Sequence, residues 1–187
     1  MGKEQAPQFI HRIDAADLII HVNDAWCSFA QDNDGAALVP ETILGTPLWR
    51  HMGGFSIVRL YQIICDRVRR RRQTAVFPFR CDAPDCRRHL EMRIEPLSGA
   101  SLEFCSQVTR AESRPHEPLL AASRPDPGST ELLLMCSWCN RVSIPEWVEV
   151  EEAVRFKELF TSGVAIKLTH GICPVCLKDV MRRIGEA

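Results

Sequence analysis

A chain of 187 residues has room for one ordinary domain and a small one, or for two small ones. Its 45% hydrophobic and 25% charged residues fit the soluble globular class, and a formal net charge of −1 excludes a global pull towards nucleic acid or anionic membrane. No run approaches the roughly 18 uncharged apolar residues that cross a bilayer. The opening MGKEQAPQF lacks the apolar core of a secretory signal, and residue 6 is Ala where a myristoylation site has Ser or Thr. The expectation is a cytoplasmic protein with no membrane partner.

Phe9 to Ile13 and Leu18 to Val22 are short apolar runs separated by a DAAD turn, which predicts a hairpin. Asn23-Asp24 offers a helix cap, and AWCSFAQD follows as a short helix. Gly and Pro break residues 32–47, leaving room for one helical turn near Glu41. Ile57, Leu60, Tyr61, Ile64 and Val68 recur at steps of three or four, so a helix spans Phe55 to Arg70 with one apolar face. Three strands follow. In Thr74 to Arg80, Pro78 argues for an edge or bulged strand. Around Leu90, Met92 and Ile94, and again around Leu102 and Phe104, apolar and polar residues alternate as in half-buried antiparallel strands. Two strands, helices and three strands predict an α+β fold, a five-stranded antiparallel sheet with helices on one face.

Residues 111–131 hold four prolines with little periodicity and read as a linker. They separate an N-terminal region, 8–110, from a compact segment, 132–187, that carries four of the nine cysteines. Cys136-Ser-Trp-Cys139 and Cys173-Pro-Val-Cys176 are each C-x-x-C. Two intervening residues let a tight turn aim both sulfurs at one ion, and two such turns complete a tetrahedral zinc shell. The 33 residues between the pairs leave space for a helix from Glu146 to about Phe160. The 56 residues from Leu132 onwards are few for a self-sufficient core, and a structural zinc ion adds roughly 10 kcal/mol of apparent folding free energy. Neither pair follows a strand in a βαβ pattern, which weakens a thioredoxin-like dithiol reading. With four cysteines filling the shell, His170 is expected to support a thiolate or the backbone by hydrogen bonding. Gly171 is expected to supply a turn with positive φ. Cys27, Cys65, Cys81, Cys86 and Cys105 read as ordinary core or surface residues.

Two resemblances extend this reading. RIDAADLIIHVNDAWCSFAQ followed by ILGTPLW resembles a PAS domain. Val22-Asn23-Asp24-Ala25-Trp26 and Ile43-Leu44-Gly45 stand where PAS sequences carry "vN.a...fa" and "ilG..l". CSWC, then Trp147-Val148-Glu149, then THGICPVC is similar to a small segment that follows PAS, GAF or receiver domains in bacterial signalling proteins. The chain departs from it by carrying the extra residues FKELFTSGVAIKL. Together they imply a sensor or adaptor of signal transduction, with no enzymatic activity of its own. Such a protein acts through a protein partner, a homodimer or a small ligand held in the PAS-like half. Some PAS domains hold haem or flavin against the helix that His51 and Met52 precede here.

Two alternatives stand beside that expectation. The zinc thiolates form a redox-responsive switch in one. In the other, the run Arg67, Arg69, Arg70, Arg71 and Arg72 binds nucleic acid with the zinc knuckle. As structure, that run is the last turn of a helix, where the macrodipole favours cations.

Overall fold

The computed structural model describes residues 6–33, 35–121, 131–157 and 166–185. β1 (Gln8–Ile13) and β2 (Ile19–Val22) form the expected hairpin, closed by Asp14, whose carboxylate accepts from the N–H groups of Ala16 and Leu18. The Asn23 carboxamide accepts from Trp26 N–H and caps α1 (Asp24–Asp32). A turn of helix follows as α2 (Pro40–Ile43), and then the long α3 (Phe55–Arg71). Ile57, Leu60, Ile64 and Val68 lie buried on one face of α3, as their spacing requires. β3 (Ala75–Arg80), β4 (Cys86–Pro96) and β5 (Leu102–Ser113) complete an antiparallel sheet of order β2-β1-β5-β4-β3. β3 lies at its edge, where Pro78 costs no ladder bond to an outer neighbour.

The C-terminal segment is richer than one helix between two turns. α4 (Pro118–Ala121) sets Leu119 into a second core, so part of the proline-rich stretch is packed. β6 (Glu131–Cys136), β7 (Val142–Ser143), β8 (Trp147–Val148) and β9 (Ile166–Gly171) form a sheet of order β8-β7-β6-β9, in which β6 and β9 run parallel. α5 (Val150–Lys157) begins later than the expected Glu146, because Trp147 and Val148 are drawn into pairing with β7. The remaining expected helical residues, up to Phe160, lie outside the described residues. α6 (Pro174–Arg183) closes the segment.

One apolar cluster joins the two parts. It runs from Ile13, Phe77, Ile94 and Phe104 of the first sheet through α3 to Cys136, Trp138, Cys173, Val180 and Ile184. Trp138 stands 5.3 Å from Tyr61 and 5.5 Å from Phe77, ring centre to ring centre. A second cluster of Leu133, Met135, Val142, Val150 and Ala153 fills the other face of the smaller sheet. No described helix is long and apolar enough to cross a membrane.

Candidate metal centre

The two C-x-x-C segments converge. The sulfurs of Cys136, Cys139, Cys173 and Cys176 all lie within 4.8 Å of one another, with Cys139 and Cys173 3.9 Å apart. An ion at about 2.3 Å from four tetrahedral sulfurs sets their mutual separation at about 3.8 Å, so the cluster has the dimensions of such a shell.

Local structure explains why each sulfur points inward. β6 ends at Cys136, and the chain reverses through a knuckle in which Asn140 N–H donates to Cys136 C=O. Asn140 takes a left-handed backbone with φ 55°. Ser137 N–H donates to Gly171 C=O, and Arg80 N–H donates to Trp138 C=O, so both β9 and β3 hold the knuckle. On the other side Cys173 caps α6, with Pro174 at the first helical position. Cys173 N–H donates to Cys136 Sγ at 3.3 Å, and Cys176 N–H donates to Cys173 Sγ at 3.4 Å. These bonds stabilise thiolates rather than thiols. A hydrogen bond from Cys139, with backbone N–H donors, pulls the Cys136 pKa down, while that shared bond and burial push Cys139 up and burial pushes Cys176 up. Four crowded sulfurs ionise together only around a cation, which fits a metal site.

Exposure divides the four. Cys136 and Cys173 are buried, whereas Cys139 and Cys176 are half-buried and line a groove of about 370 Å³ with Trp138, Val175 and Asp179. His170 is exposed on β9, opposite Met135, and among the described residues no hydrogen bond joins its ring to a sulfur. Gly171 is a correction. Its φ is not positive, and a Cβ there would stand 2.9 Å from Leu134 Cδ1, the movable end of a part-exposed side chain. Gly54 has both needs, with φ 84° and a virtual Cβ 2.6 Å from His170 C=O, where β9 crosses the start of α3.

Of the arginine run, Arg67 and Arg69 are half-buried, while Arg70, Arg71 and Arg72 are exposed. Arg69 bonds Asp17 at 2.7 Å and the carbonyls of Asp14 and Ala100. Arg72 donates to Leu97 C=O and Arg70 to Asp66 C=O, while the Arg67 guanidinium lies against Gly185. Cys81 and Cys86 are free thiols flanking the β3–β4 turn.

Two features escaped the sequence reading. One is an ion-pair network beside the four-cysteine cluster. Arg80 pairs with Asp82 and Glu149, Arg114 with Asp82 and Glu151, and Arg87 with Glu149 and Glu151. Its members come from distant positions, and no local pattern signals their meeting. The other is His11, which lines an internal cavity with Ile19, Trp26, Ile43, Leu48 and His51. A signal for it did exist: His11 stands between Phe9 and Ile13 on the parity of β1 that faces the core.

No family model matches the chain, and no curated protein matches it.

Proposed function

We propose that this is a non-enzymatic sensory or adaptor protein of PAS-like design, in which a structural zinc ion holds the C-terminal segment against the sheet. Support comes chiefly from the position of the four sulfurs. They sit at the edge of the apolar cluster that continues into α3 and β3, so a bound ion orders the junction between the two parts. Four protein sulfurs leave no open coordination position for a substrate, which favours an architectural ion over a catalytic one. The protein then acts through a ligand in the N-terminal part, or through contacts with a protein partner or a second copy.

Metal analysis of the purified protein should find one zinc per chain, and Cys173→Ser should abolish it. Hydrogen exchange should then accelerate in β6, β9 and α6. A protein that lacks metal yet keeps those elements protected overturns the reading.

The groove beside Cys139 and Cys176 favours a second reading, a redox-responsive zinc-thiolate switch. Two thiolates would pass two electrons to hydrogen peroxide, forming one disulfide and two hydroxide ions and releasing the metal. Mild peroxide should release zinc, and a dithiol reductant with added zinc should restore it. Zinc retained under peroxide ends this reading and leaves the first intact.

A further inference from the structure

The four sulfurs are not equally placed. Cys136 and Cys173 keep 0% and 1% of their surface, whereas Cys139 and Cys176 are half-buried. A reagent that reaches the cluster therefore meets Cys139 and Cys176. Hydrogen bonding follows the same division. Cys136 takes N–H groups from Trp138, Cys139 and Cys173, and Cys173 takes one from Cys176, while Cys139 takes one from Arg141. Each such donor draws charge from a thiolate and lowers its nucleophilicity. The covered pair is thus blunted as well as hidden.

The open pair lines the groove of about 370 Å³, a volume within the range of small-molecule pockets. Pro78, Phe79, Trp138 and Val175 give it apolar walls. Its charged members are already paired, Arg80 with Asp82 and Glu149, and Asp179 with Arg182 and Arg183. The groove therefore suits a neutral molecule with an apolar body, because a charged one would lose its water without gaining a counter-charge.

We infer that Cys139 and Cys176 are the oxidation site of the cluster, and that their oxidant is an organic hydroperoxide whose apolar body lies in this groove. The inference rests on the redox-responsive reading above and names the sulfurs and the class of oxidant for it. One of the two thiolates attacks the terminal peroxide oxygen. The S–O bond forms, the O–O bond breaks, and the alkoxide leaves and takes a proton from water. The other thiolate then attacks that sulfur, the S–S bond forms and hydroxide leaves. The two electrons lost by the thiolates have reduced the peroxide to an alcohol and hydroxide. The sulfurs start within 4.8 Å of each other, so closing to a bond of about 2 Å is a short movement. The metal loses two of its four ligands and is released.

Cumene hydroperoxide is the probe, with hydrogen peroxide as the oxidant lacking an apolar body. At less than one equivalent added to the zinc-loaded full chain, peptide mapping should find the first disulfide between Cys139 and Cys176. Rates of zinc release, read with a chromogenic chelator, are normalised to the rate of each peroxide with glutathione. On that scale cumene hydroperoxide should be faster by about tenfold or more, the worth of covering an aromatic ring. Val175 is 70% exposed, so Val175→Ser removes part of the apolar wall without opening the core. It should cut the normalised preference by about three- to tenfold and leave zinc content and the hydrogen peroxide rate unchanged. A first disulfide joining any other pair overturns the inference. So does a preference absent from the parent or unchanged in Val175→Ser. In each of these cases zinc release by hydrogen peroxide leaves the redox-responsive reading standing. Zinc retained under both peroxides removes that reading and the inference with it.

Discussion

At the scale of single residues, His11 and the four cysteines show opposite uses of a titratable group. Burial depresses His11 to about 4 from an ordinary value near 6.5. Between those values the unfolded chain takes a proton that the folded chain refuses. The stability linked to His11 is therefore complete above about pH 6.5 and falls as pH drops towards 4, by at most about 3 kcal/mol. Denaturant titrations of the parent and His11→Phe across that range should diverge, with the parent losing stability more steeply on acidification. Parallel curves would mean that His11 takes up its proton at the same pH in the folded and unfolded chains. Among the cysteines, Cys136 and Cys173 accept N–H groups at their Sγ atoms, whereas Cys139 and Cys176 are held towards the thiol, and four thiolates together need a cation. Both behaviours arise from low-dielectric surroundings, and the presence or absence of donors decides which charge state wins.

Between elements, the ion-pair network joins the β3–β4 turn, the segment after β5 and the start of α5. Asp82 has no exposed side-chain surface, and Arg80 and Arg114 keep less than a tenth of theirs. Glu149 also meets Arg141 at 3.1 Å. Burial alone would raise the Glu149 pKa, but the bonds from Arg80 and Arg141 and the field of Arg87 outweigh it and hold the carboxyl below its ordinary value. A buried pair of this kind contributes little net stability over an apolar replacement, yet removing one partner strands the other. Arg80→Ala should therefore cost about 3–5 kcal/mol, because Asp82 keeps only the longer ion pair with Arg114 and the bond from Arg88 N–H. Glu149→Gln, on a half-exposed site, should cost clearly less. Equal losses in equilibrium unfolding would place the importance of Arg80 in its aliphatic stem instead. The arginines at the end of α3 follow the same logic with less burial. Arg69 ties the end of the helix to the carbonyls of Asp14 and Ala100 and to Asp17, and Arg72 ties it to the Leu97 carbonyl.

For the whole molecule, the shared apolar cluster couples the two parts. A structural zinc site contributes roughly 10 kcal/mol, comparable to the 5–15 kcal/mol that holds an ordinary domain folded. Stripping the ion with a strong chelator should unfold β6, β9 and α6, with the effect spreading to α3 through Trp138. That residue lies between Tyr61 and Phe77, so its fluorescence, isolated by comparison with Trp138→Phe, should move towards that of exposed indole. The antiparallel sheet, which supplies Ile13, Phe77, Ile94 and Phe104 to that cluster, should keep most of its circular dichroism. Unchanged Trp138 emission after complete metal removal would show that packing alone holds the junction.

The sequence by itself determined the elements whose signal is local. Alternation at Leu90, Met92 and Ile94 marked β4, steps of three and four marked α3, Asn23 marked the cap of α1, and Pro78 marked an edge or bulged strand, of which the fold has the edge. It also marked the four cysteines that the fold brings together, because C-x-x-C spacing is a property of one turn of chain. Only the tertiary structure decided what those faces meet. Parallel pairing of β6 with β9, burial of Leu119, the meeting of Arg80 with Glu149, and the place of Gly171 against Leu134 all join residues far apart in sequence. Periodicity records that a face is buried and carries no address for its partner. His11 lies between these cases. Its position on the buried parity of β1 was visible in the sequence, but its lack of a partner and the cavity beside it are properties of packing.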